Sequence, residues 1–95
     1  MPEYRLTRAA EQDLLQIAIF GIERFGAVRA RSYYQRLMHR FAELAGTPEL
    51  YQEVDYIRKG YRRSVCGVHS IYYRVDGDIV EIVRVLGQQD LSGAF

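Results

Sequence analysis

The chain has 95 residues, 48% hydrophobic and 26% charged, with a formal net charge of +1. That length supports one domain, residues 1–95, around one core, and so even an overall charge says little about nucleic acid, which leaves that argument to local clustering. No apolar run approaches the roughly 20 residues that cross a bilayer, which argues against a membrane protein.

The start, MPEYRLTRAA, has no apolar stretch behind a basic head, so no export signal is read and a reducing cytoplasm is expected. The single cysteine, Cys66, admits neither an internal disulfide nor a Cys-rich metal site. The thirteen basic residues are all Arg except Lys59. Arg carries a planar fork suited to carboxylates, phosphates and aromatic faces.

Glu3–Leu6 reads as a short strand. Thr7 follows as an N-cap, its hydroxyl placed to accept from the first helical turn. Over Arg8–Phe25, Ala10, Leu14, Ile17, Ala18, Gly21 and Phe25 form one apolar stripe. Leu15, Ile19 and Ile22 form a second beside it, so two neighbours are expected to cover this helix. Gly26 ends it. A second helix is predicted over 28–45, with Ala30, Tyr34, Leu37, Phe41 and Leu44 as its core face; Gly46 and Pro48 stop it. So short a break between helices predicts an antiparallel hairpin.

Residues 49–59 read as a loop, long for this chain and therefore a functional candidate. Strands follow over Tyr61–Cys66, 69–75 and 79–86, turned at Gly67 and at Asp76-Gly77-Asp78. The last is apolar except for Glu81 and Arg84, which predicts a central position. The fold class is α+β in the order β-α-α-β-β-β, a helical hairpin on one face of a small, mainly antiparallel sheet. The other face is expected to be open.

The chemical motifs are few. His39 and His69 with one cysteine match no metal-ligand spacing, so neither metal nor cofactor is expected. Cys66 reads as a structural thiol, not a nucleophile. No glycine-rich phosphate loop is present. The stretch RKGYRR places Arg58, Lys59, Arg62 and Arg63 where the loop enters a strand. Alternation sends Arg62 and Arg63 to opposite faces. The group suits phosphates or an acidic partner, or else a solvated loop with one Arg paired to Glu53 or Asp55. Arg84, within an apolar strand, needs a partner such as Glu81 or Asp90, or a role in binding.

Four stretches, YRLTRAAEQDL, IERFG, LAGTPEL and GYRRSVCGVHSIYYRVDGDIVEIVRVLGQQD, together resemble the ParE branch of the RelE/ParE superfamily of bacterial toxins. The resemblance implies the toxin of a type II toxin–antitoxin pair, in complex with a ParD-like antitoxin of ribbon-helix-helix type and touching operator DNA only through it. It further implies inhibition of DNA gyrase by binding. The alternatives are a ribosome-dependent mRNA endoribonuclease of RelE type, and a decayed toxin that only holds its antitoxin and co-represses the operon.

RNA cleavage needs a proton carrier and donors for a charged phosphorane. The segment 87–95, GQQDLSGAF, brings no cation, and Phe95 falls where RelE-like proteins place a catalytic Tyr. No catalytic residue is therefore assigned, and the protein is expected not to be an enzyme. Many ParE proteins carry a His and Arg where Gly87, Gln88 and Gln89 stand. Target contacts are expected at Arg58, Lys59, Arg62, Arg63 and Arg84. Antitoxin contacts are expected at Leu15, Ile19, Ile22, Tyr33 and Met38, whose apolar surface exceeds what one sheet face can cover, the alternative being that these side chains pack between the two helices.

Overall fold

The computed structural model describes residues 3–87 and 94–95. The elements in chain order are strand β1 (Glu3–Leu6), helices α1 (Arg8–Phe25) and α2 (Ala27–Gly46), a 3-10 turn (Pro48–Leu50), and strands β2 (Gln52–Glu53), β3 (Tyr61–Cys66), β4 (His69–Asp76) and β5 (Ile79–Gly87). Among the described residues they form one five-stranded sheet in the order β1-β5-β4-β3-β2. Only β1 runs parallel to its neighbour, β5; the other pairs are antiparallel.

The two helices share Gly26, whose φ of +85° suits a residue without Cβ at the reversal. Their close approach depends on Gly21, where an added Cβ would come within 3.2 Å of the Ala30 methyl. Thr7 is the predicted N-cap, accepting from the Ala10 N–H at 3.0 Å. Its hydroxyl also donates to the Val83 carbonyl at 2.7 Å, which ties the start of α1 to β5.

The main core lies between the hairpin and the sheet. Ala10 and Leu14 of α1 and Leu37, Phe41 and Leu44 of α2 meet Cys66, Ile71, Tyr73, Val80, Ile82 and Val85. Tyr73 is fully enclosed, and its hydroxyl reaches the Pro48 carbonyl at 2.7 Å. Tyr34 does not join this core as its spacing predicts. It is 36% exposed, and Tyr33 packs against the cluster in its place. Phe25, at the far end of α1, is exposed as well.

Two further features differ from expectation. The segment read as a plain loop contains β2, which pairs Gln52 with Arg63 and Glu53 with Arg62. Two residues are too few for alternation to register in a sequence. The sheet face opposite the helices is also not open at its centre. Val54, Tyr72 and Leu86 are buried there, with Ile57, Tyr61, Ala94 and Phe95 packed around them. Phe95 meets the Tyr72 and Tyr61 rings edge-on at 5.2 and 5.8 Å between centroids.

Candidate functional surfaces

The edge of β5 is completed by α1. β1 stops at Leu6 opposite Ile82, so among the described residues the β5 backbone beyond that point has no strand on this side. Thr7 donates to the Ile82 carbonyl at 3.0 Å, and the Asp13 carboxylate accepts the Val85 N–H at 3.0 Å. Between them the β4–β5 register jumps, from Tyr72 opposite Arg84 to Tyr73 opposite Ile82, which leaves Val83 as a bulge. The bulge keeps Val85 on the core side and sends Arg84 to the other. Arg84 then grips Asp13 through Nε and Nη2 at 2.8 and 2.9 Å. Its Nη1 donates to the Ala94 carbonyl at 3.2 Å.

Arg84 is therefore paired, as its place in an apolar strand requires, and among the described residues its carboxylate partner is Asp13, not Glu81. Asp90 lies outside the described residues, as do Gln88 and Gln89. Glu81 serves a separate network. It accepts from Arg74 at 2.8 Å and from Arg5 at 3.0 Å, while Asp76 also meets Arg5. Burial works to raise the Glu81 carboxyl, but the hydrogen bonds from Arg74 and Arg5 outweigh it and hold it below the usual range.

The five basic residues expected to meet a target are not one patch. Arg58 and Arg84 line one cleft of about 450 Å³ with Tyr61, Val83, Ala94 and Phe95. Arg58 donates to the Phe95 carbonyl at 3.5 Å. Lys59 and Arg62 line another hollow beside Glu49, Glu53 and Asp55. Arg62 binds Glu53 at 3.0 Å and the Tyr51 carbonyl at 2.7 Å, so it secures β2 and the turn before it. Arg63 lies on the opposite face, as alternation predicts, and donates to Ser70 Oγ at 2.9 Å. Sequence reasoning missed Arg40, which donates to Ser64 Oγ at 2.7 Å and the Val65 carbonyl at 2.8 Å and so stitches α2 to β3.

The apolar set separates in a similar way. Leu15, Ile19 and Ile22, at i, i+4 and i+7, are 57, 44 and 53% exposed on α1. This is a continuous uncovered ridge. Tyr33 and Met38 are half-buried against the core, so they offer less surface than the sequence suggests. The Tyr33 hydroxyl holds the β3–β4 turn. It donates to the Cys66 carbonyl at 3.1 Å, accepts the Val68 N–H at 3.2 Å and lies 2.6 Å from His69 Nδ1. Desolvation pushes the Tyr33 phenol above its ordinary value.

Among the described residues no helix is long and apolar enough to cross a membrane, and no cluster of His, Cys, Asp and Glu could hold a metal. A helical hairpin on a mixed sheet, closed by a parallel first strand, is also the fold of a chain from a solved chromosomal ParDE toxin–antitoxin system of P. aeruginosa. The two share a TM-score of 0.79 over 92% of this chain and 96% of that one, at 21% identity.

The fold is thus of the α+β class, two helices packed on a five-stranded mixed sheet, and is shared with that chain. Sequence fixes the family: the model for the ParE toxin of the type II toxin–antitoxin system parDE matches residues 4–91, and the chain belongs to that family. It is 40% identical to Toxin ParE1 of Caulobacter vibrioides, over 93% of this chain and 91% of the relative. It is 36% identical to Toxin ParE1 of Mycobacterium tuberculosis, over 90 and 89%.

Proposed function

We propose that this toxin acts in the cytoplasm by binding instead of catalysis, that a ParD-like antitoxin neutralises it along α1, and that its target is DNA gyrase. The observation that carries the antitoxin reading is the ridge of Leu15, Ile19 and Ile22, apolar side chains left in water on a helix that already has a full core face. An amphipathic helix or strap laid along that ridge removes it from solvent.

Support for a non-catalytic role comes from the partners of the sheet arginines. Arg63 is held by Ser70, Arg74 by Glu81 and Arg84 by Asp13. The Phe95 ring, which has no hydroxyl, packs on Tyr61 and Tyr72. The gyrase assignment rests on membership of the ParE family.

A supercoiling assay with purified toxin tests the target. Inhibition with accumulation of cleaved DNA, relieved by the antitoxin, is the expected result. Unimpaired gyrase at micromolar toxin removes the gyrase assignment. New 5′ ends on message in translating extracts establish a ribonuclease in place of a binding toxin.

A further inference from the structure

Where the hairpin turns, the structure holds a second apolar feature, apart from the exposed ridge. Ile17, Phe20 and Phe25 of α1, Tyr33 of α2 and Val68 of the β3–β4 turn line an open cavity of about 310 Å³, with His69 at its β4 side. At about 100° of turn per residue, Ile17 and Phe20 point close to the opposite flank of α1 from Leu15, Ile19 and Ile22. Among the described residues the cavity is open on one side, where Phe20 and Phe25 are exposed and Val68 is 75% exposed.

Charge distinguishes this cavity from an ordinary packing gap. Arg29 lines it, and Arg24 lies over the Phe20 ring at 5.5 Å. Between residues 20 and 36 there are four arginines and one carboxylate, Glu23. Elsewhere in the fold Arg5, Arg40, Arg62, Arg74 and Arg84 each pair with a carboxylate. Arg29 has neither an ion pair nor a hydrogen bond among the described residues. An apolar socket with an unneutralised guanidinium on its wall is complementary to a large apolar side chain carried beside a carboxylate.

We propose that this cavity is the specificity socket for the antitoxin. One large apolar side chain of the antitoxin enters between Phe20, Phe25 and Val68, and an acidic residue of the same segment pairs with Arg29. The inference rests on the antitoxin reading above and adds the point that selects the partner. The ridge supplies apolar area to any amphipathic segment, whereas the socket accepts only a segment with size and charge in the right order.

The test titrates the full toxin chain with the ParD protein of its own parDE pair. It compares wild type, Arg29→Glu, Arg29→Lys, Val68→Trp and the ridge variant Ile19→Asp, with melting temperature recorded for each. Arg29→Glu is expected to weaken binding at least tenfold at unchanged melting temperature, and Arg29→Lys to retain most of it. Val68→Trp, which fills the mouth, is expected to weaken binding similarly. Wild-type affinity in Arg29→Glu and Val68→Trp alongside loss in Ile19→Asp overturns the socket and leaves the antitoxin reading intact. Absence of any wild-type complex overturns both. A toxin dimer that Val68→Trp abolishes assigns the cavity to a second copy and also overturns the proposal.

Discussion

Asp13 and Arg84, 71 residues apart in the chain, meet through two nitrogen–oxygen contacts of 2.8 and 2.9 Å. The same carboxylate caps the Val85 N–H. One acidic side chain thus closes a strand edge and neutralises a cation that a bulge has turned out of the core. Asp13→Ala removes the carboxylate that accepts from Arg84 and from the Val85 N–H, and is expected to cost about 2–4 kcal/mol in urea unfolding. Arg84→Met removes the charge together with its need for a partner and is expected to cost less. An equal loss in both variants contradicts this ordering.

Gly67 is fixed twice. Its φ is +61°, and an added Cβ would fall 2.5 Å from the Tyr33 ring. Gly67→Ala is expected to destabilise by about 2–3 kcal/mol. Tyr33→Phe keeps the ring but removes the hydroxyl from Cys66, Val68 and His69, at a cost of about 1–2 kcal/mol. Thermal melts of the two variants check both figures. Combining the substitutions is expected to cost less than their sum, because the pair shares one contact.

The pH dependence has two limbs. Glu81 has a folded pKa below its unfolded one, so its contribution is complete above the ordinary carboxylate value and disappears as pH falls through the folded pKa. Glu81→Gln is expected to flatten stability on the acid side. Tyr73 is pushed by burial from 10.0 up to about 12. A raised pKa means its contribution is intact below 10.0 and is lost as pH rises toward about 12. Tyr73→Phe is expected to remove that alkaline decline, read by denaturant midpoints between pH 9 and about 12.

Ile19, 44% exposed on the ridge, is a surface position for folding. Ile19→Asp is expected to change stability by no more than about 0.5 kcal/mol while weakening the antitoxin complex several-fold. Equal proportional losses in melting temperature and affinity contradict a docking role for the ridge.

Phe95 covers Tyr72 and Leu86 on the sheet face away from the helices. Phe95→Ala is expected to cost about 1–2 kcal/mol through lost burial and edge-on ring contacts. It is also expected to raise exposure of Tyr61 and Tyr72, measurable by tyrosine fluorescence quenching.

The regular elements were legible because their signals are local. A cap at Thr7, glycines at 26, 67 and 77, and helical or alternating apolar spacing each act within a few residues. Glu3–Leu6, Arg8–Phe25 and Tyr61–Cys66 have their predicted bounds; the second helix runs one residue further at each end, and the last two strands one residue further at one end. What sequence could not reveal depends on distant parts meeting. Asp13 looks like any polar residue on a helix until the early end of β1 leaves a bare edge on β5. Tyr33 and Tyr34 flank the core axis of α2 almost equally, and the β3–β4 turn selects Tyr33. The arginine cluster near residue 60 looks continuous in one dimension, but pleating and β2 divide it among separate hollows. The socket by Arg29 draws on three elements and has no linear signature.

The parallel pairing of β1 with β5 has a consequence for synthesis. Glu3–Leu6 leaves the ribosome well before its strand partner, Ile79–Gly87. Until then the hairpin has no Val80, Ile82 or Val85 to pack on and Asp13 has nothing to hold. Contacts of such long sequence separation form late and slowly. The sheet and the core beneath the hairpin therefore close only once Ile79–Gly87 is available, and until then the apolar face of the hairpin is held by no part of β5.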